Sequence, residues 1–148
     1  MPEQGNVDGD QSQPSKWKSV WAVLAGFVVI FILSTAMDAV MPVTGIFPPL
    51  GQGISDGLFA WATVYRVVFS IIGCYVTARL APNRPLTHAL WLGVLGVVIS
   101  FVATVVTWNK GPAFGPHWYP IALVLVSIPC AWVGAMLYEK LQLKSTSS

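Results

Sequence analysis

Two residues of opposite charge stand inside stretches that are otherwise apolar over most of their length: Asp38 and Arg66. A lone charge at the centre of a membrane helix costs about 2.5 to 3.5 kcal/mol, so neither is expected to face lipid unpartnered. Polar types gather around both. Ser34 and Thr35 stand one turn before Asp38, Tyr65 adjoins Arg66, and Ser70 follows it by one turn. A carboxylate, a guanidinium, a phenol and three hydroxyls can lock two helices in register. The same set can bind an ion, a proton or a small anion, because charged residues in apolar spans mark pathways. The structural reading leads, because a neutral pair needs no ligand, and the functional one stays open.

The other chemistry-bearing residues exclude more than they offer. The chain has no HExxH, no GxSxG, no Gly-rich phosphate loop and no paired carboxylates on one helix. No catalytic residue, cofactor site or enzyme activity is therefore expected. Cys74 and Cys130 fit no CxxC or Cys/His spacing and read as small apolar residues at helix contacts. His88 and His117 each stand alone, which argues against a metal site. The net charge of +2 comes without a basic cluster beside a stacking platform, so nucleic acid is not an expected partner.

The elements that position these residues follow from composition. Apolar residues make up 55% of the 148 and charged residues 9%, against roughly 25% charged in a soluble domain. The apolar residues fall into four runs, at about 17–40, 57–80, 86–108 and 118–140. Each can cross ~30 Å of hydrocarbon as a helix. The runs are continuous rather than alternating, which excludes barrel strands, and a backbone in lipid must satisfy its own hydrogen bonds. The expected fold is all-α, a transmembrane four-helix bundle, with a disordered tail over 1–16 and a short tail over 142–148.

Proline and glycine separate the runs. Pro42, Gly45, Pro48, Pro49, Gly51 and Gly53 punctuate the first loop, Pro82 and Pro85 the second, Gly111, Pro112, Gly115 and Pro116 the third. Pro129 lies inside the fourth run, where a kink is expected. The first loop is apolar for a loop from Val43 to Gly51 and reads equally as a cap above Asp38 and Arg66 or as a loose connector.

Orientation follows from the cations. Lys16, Lys18, Arg79, Arg84, Lys140 and Lys144 fall at one end of the alternating spans, and Lys110 alone at the other. The positive-inside rule places both termini in the cytoplasm. Trp17, Trp21, Trp91 and Tyr138 mark the inner boundary; Trp61, Trp108, Trp118 and Tyr119 mark the outer one. Lys16, Lys18 and Ser34-Thr35-Ala36 loosely fit a cleaved signal peptide, but the acidic leader and the apolar run beyond Ala36 argue against cleavage. In this orientation Asp38 and Arg66 lie in the outer half. Side chains lean toward their own helix N-terminus, so Arg66 leans outward and Asp38 inward, closing an axial gap of roughly 9 Å.

Small residues mark the contact faces. Ala89, Gly93, Gly96, Ser100, Ala103 and Thr107 recur at alternating steps of four and three, a left-handed packing seam along the third span. Ala62, Arg66, Ser70, Gly73, Cys74 and Thr77 share a face in the second span; Ser127, Ala131, Gly134 and Ala135 share one in the fourth. These faces fit partners within the chain or in a second copy. The expected function is therefore helix association, as a homo-oligomer or an accessory subunit of a membrane complex. The alternative is a small oligomeric transporter or channel with the Asp/Arg cluster as its polar site.

The stretch Tyr65-Arg66, Gly73-x-Tyr75-x-x-Ala78-Arg79-Leu80-Ala81-Pro82, His88-Ala89 and Gly93-x-x-Gly96 resembles small bacterial four-helix integral membrane proteins of no assigned activity. The resemblance implies a bacterial inner membrane location and transfers no residue role.

Overall fold

Four continuous apolar runs with proline and glycine between them become four helices. The computed structural model describes residues 16–49, 52–111 and 114–147. Its elements are α1 (Lys16–Val43), α2 (Asp56–Leu80), α3 (Pro85–Thr107) and α4 (Trp118–Thr146). All four are long and apolar enough to cross a membrane. The tail assigned to 1–16 lies outside the described residues, apart from Lys16, which opens α1.

Two helix ends differ from expectation. α1 runs through Pro42 to Val43 rather than ending near 40. Proline withholds only the one donor that the Asp38 carbonyl would have received, and the helix stops a residue later. α4 runs to Thr146, so most of the tail assigned to 142–148 is helix. Glu139, Lys140, Leu141, Gln142, Leu143 and Lys144 are nearly all strong helix formers, and no proline or glycine interrupts them. Gln142 Nε2 donates to the Tyr138 hydroxyl at 3.0 Å, and Thr146 Oγ1 to the Gln142 carbonyl at 3.0 Å.

The link from α2 to α3 turns within four residues. Arg84 takes φ +44°, a left-handed conformation rare outside glycine, and Pro85 then presets the first helical turn.

α2 packs against α1 on one flank and α4 on the other, and α4 packs against α3. α1 and α3 meet only over a short stretch, so the ring is loosest between them. Two packed layers hold it. The first, toward the chain termini, joins Cys74, Ala78, Ala89, Leu92, Ala131 and Ala135. The second, at the opposite end, joins Met41, Phe47, Ala62 and Tyr65, with Tyr119 and Phe69 packed against them.

The first layer is tight because glycine and alanine let backbones touch. A Cβ on Gly73 would sit 2.8 Å from the Gly26 carbonyl oxygen, and one on Gly26 would sit 2.6 Å from the Gly73 carbonyl oxygen. A Cβ on Gly134 would lie 2.7 Å from that of Cys74, and one on Gly93 would lie 2.8 Å from that of Ala131. The small-residue faces of α2 and α4 therefore pack largely against partners in the same chain.

The second layer includes the first loop. Phe47 is buried against Met41, Ala62 and Tyr65. Its N–H donates to the Met41 carbonyl at 3.2 Å, which also accepts from Thr44 Oγ1 at 3.0 Å. This part of the loop is a cap, the first of the two forms expected of it.

Candidate functional site

Asp38 stands near the end of α1 and Arg66 some three turns into antiparallel α2, so the pair bridges the two helices at one level. Arg66 Nη2 donates to Asp38 Oδ2 at 2.5 Å. The Tyr65 hydroxyl donates to the other carboxylate oxygen, Oδ1. One carboxylate thus ties two consecutive α2 residues to α1. Tyr119, from α4, approaches the same guanidinium. The pair is half-covered: the Asp38 side chain keeps 42% of its accessible surface and Arg66 31%. The Arg66 Nε–H is buried without an acceptor.

Below this pair, between the two packed layers, lies a cavity of about 300 Å³ bounded by all four helices. Each helix contributes one serine: Ser34 from α1, Ser70 from α2, Ser100 from α3 and Ser127 from α4. Arg66 is the one charged residue in the lining. Phe27, Ile30, Leu92, Leu123 and Val126 form the apolar walls. The cavity exists at this level because the residues facing it are small: the four serines with Gly93 and Gly96.

The hydroxyls differ in state. Ser127 Oγ donates to the Leu123 carbonyl at 2.7 Å, which leaves its lone pairs as acceptors. Among the described residues, Ser34, Ser70 and Ser100 form no side-chain hydrogen bond, so their O–H donors are available to the cavity. Phe31 on α1 and Ile99 on α3 also line it, and they are 61% and 43% exposed. They mark its mouth, on the flank where α1 and α3 are loosest.

The structure brings together most of the expected cluster. Asp38, Arg66 and Tyr65 form the bonded set, and Ser34 and Ser70 line the cavity beneath it. Thr35 does not join them: it is exposed. Neighbouring helical residues point about 100° apart, and here that angle turns Thr35 out of the buried face that holds Ser34.

The seam on α3 divides in two. Ala89 and Gly93 are buried against neighbouring helices, and Gly96 and Ser100 line the cavity. Beyond Ser100 it shifts register: Ala103 is exposed and Thr104 is buried. Seen from Gly93, an α-helix carries position 103 about 80° to one side and position 104 only about 20° to the other. A strict alternation of four and three holds only for a supercoiled pair, and α3 keeps the straighter register here. Thr107, partly buried, returns its hydroxyl to the Ala103 carbonyl at 2.7 Å.

His117 stacks on Trp108, ring centroids 4.3 Å apart, and its Nε2 bonds the Trp108 carbonyl at 3.0 Å. His88 Nδ1 lies 3.1 Å from the Arg84 carbonyl. Cys74 and Cys130 are buried free thiols.

Two features escaped the sequence reading: Tyr119 beside Arg66, and the convergence of Ser100 and Ser127 on Ser34 and Ser70. The last had a signal, since each apolar run carries a serine away from its ends, Ser34, Ser70, Ser100 and Ser127. Comparison with family models, with curated proteins and with solved structures finds no match for the chain.

Proposed function

We propose that the protein is a multi-pass protein of the bacterial inner membrane, with both termini in the cytoplasm, that takes a small molecule from the bilayer into the cavity between its helices. One observation carries this reading: an apolar cavity with polar groups from all four helices that opens sideways between α1 and α3. Sites between the helices of bundles commonly pair apolar walls with a few convergent polar groups. The orientation rests on Lys16, Lys18, Arg79, Arg84, Lys140 and Lys144, which the antiparallel helices gather at one end. The layer of Cys74, Ala78, Ala89, Leu92, Ala131 and Ala135 separates the cavity from that end. This favours a site loaded and unloaded from one leaflet over an open channel.

A second reading is association, as a homo-oligomer or an accessory subunit. The half-exposed Asp38 side chain beside exposed Thr35 favours it, because a neighbouring helix would cover both.

Native mass spectrometry of the protein extracted gently from its own membrane tests the two. A monomer with a reproducible adduct, lost in the cavity-filling variant Gly96→Leu, is the expected result. A discrete multimer or a co-purifying protein, with no adduct, overturns the cavity reading in favour of association.

A further inference from the structure

The donors that meet the cavity narrow what it can hold. This step rests on the reading of the cavity as a binding site. Three O–H groups stand on residues that line one small apolar volume, with no acceptor among the described residues: the hydroxyls of Ser34, Ser70 and Ser100. A donor left unmade in a low-dielectric interior is costly, and that cost is relieved by any occupant that supplies an oxygen acceptor.

The charge of the occupant follows from the pair above. The guanidinium is already neutralised by Asp38, whose two oxygens are taken by Arg66 and Tyr65. An anion would have to compete with that carboxylate at close range, and a cation would meet Arg66. The mouth between Phe31 and Ile99 is apolar, so an occupant entering from a bilayer arrives without water. A neutral molecule satisfies all three conditions. At about 300 Å³, the volume is at the low end of small-molecule pockets, which run from about 300 to 1,000 Å³. It takes a ring system or a short chain rather than a whole phospholipid.

We infer that the cavity binds a neutral, ring-sized lipophile through a carbonyl oxygen, which accepts hydrogen bonds from the serine hydroxyls. A ketone, a quinone or an ester carries the required oxygen.

The test uses benzophenone and diphenylmethane, which match in shape and differ by the carbonyl. Irradiated benzophenone inserts into adjacent C–H bonds, so peptide mass spectrometry reads where it sat. With deuterium-labelled benzophenone as the probe and the full chain in lipid vesicles, labelled adducts are expected on wall residues such as Ile30, Leu92 and Leu123. Unlabelled benzophenone should suppress them at about one-tenth the concentration needed of diphenylmethane, the factor that one hydrogen bond confers. The double variant Ser70→Ala, Ser100→Ala should keep the adducts and narrow that difference toward equality. Wall adducts with equal competition in the parent protein overturn the carbonyl inference and leave the site standing. Adducts confined to outward side chains such as Phe101 and Val105 overturn the site itself.

Discussion

Replacing Asp38 by asparagine removes one charge and almost no volume. Arg66 Nη2 loses its ionic partner, while an asparagine oxygen can still accept from Tyr65. Two limits bracket the effect. Exposed ion pairs contribute about 0.2 to 1 kcal/mol, and breaking a buried pair costs about 3 to 5 kcal/mol because a charge is stranded. With 42% of Asp38 and 31% of Arg66 accessible, and Arg66 Nε already without an acceptor, the loss should fall between them, at about 2 kcal/mol. Reversible unfolding in mixed micelles measures it, and Arg66→Gln with the double variant completes the cycle. The double variant should be less destabilised than the sum of the singles, since neither charge is then stranded. A loss under about 0.5 kcal/mol for Asp38→Asn, with no coupling to Arg66, would refute the view that this pair ties α1 to α2.

Three further outcomes follow from the packing and the charge distribution. Gly73→Ala should destabilise by about 2 kcal/mol, because its Cβ meets the Gly26 carbonyl at 2.8 Å and the helices must part. Gly96→Ala should instead stabilise by up to about 1 kcal/mol, since its Cβ meets only Ser127, at 3.3 Å, and alanine is the better helix former; equal effects at the two glycines in unfolding measurements would contradict the packing. Thr77, fully buried with its hydroxyl unbonded, should tolerate Thr77→Val with a gain of about 1 kcal/mol, and a clear loss in the same assay would mean that the hydroxyl has a partner. In intact cells a membrane-impermeant maleimide should label Asn109→Cys and reach Ser145→Cys only after lysis, because the cations gather at the latter's end; the reverse pattern would invert the orientation.

The helices were legible because a run of over twenty apolar residues has few alternatives, whereas their ends were not. Pro42 signals a loop because proline breaks helices, yet in a last turn it removes only one bond. The extension of α4 to Thr146 depends on local propensity, which an apolar-run criterion does not weigh. The Asp38–Arg66 contact could be derived from helix direction and side-chain lean alone. Thr35 stands beside Ser34 in sequence, but the helical angle separates them. The cavity was out of reach for a different reason. Periodicity says which residues face inward, but the space left between them depends on how far apart the helices sit at each level. That spacing is set by backbone contacts at Gly26, Gly73, Gly93 and Gly134 and by Phe47 and Tyr119 at the other end.

The two layers also bear on how an occupant could exchange. Where glycine and alanine bring backbones together, separating helices means losing many close contacts at once, and packed interiors do not deform gradually. The layer of Ala89, Ala131 and Ala135 is of this kind. The cap is held by side chains and by the carboxylate that joins Asp38 to Tyr65 and Arg66. The α1–α3 flank has neither device. There the boundary is Phe31 and Ile99, both already exposed, and rotation of exposed side chains takes picoseconds to nanoseconds. Passage at that flank leaves both layers and the ion pair intact, so the route of least disruption joins the cavity to the space beside the bundle rather than to either end. For a bundle set in a bilayer that space is hydrocarbon, in keeping with a neutral, lipid-soluble occupant.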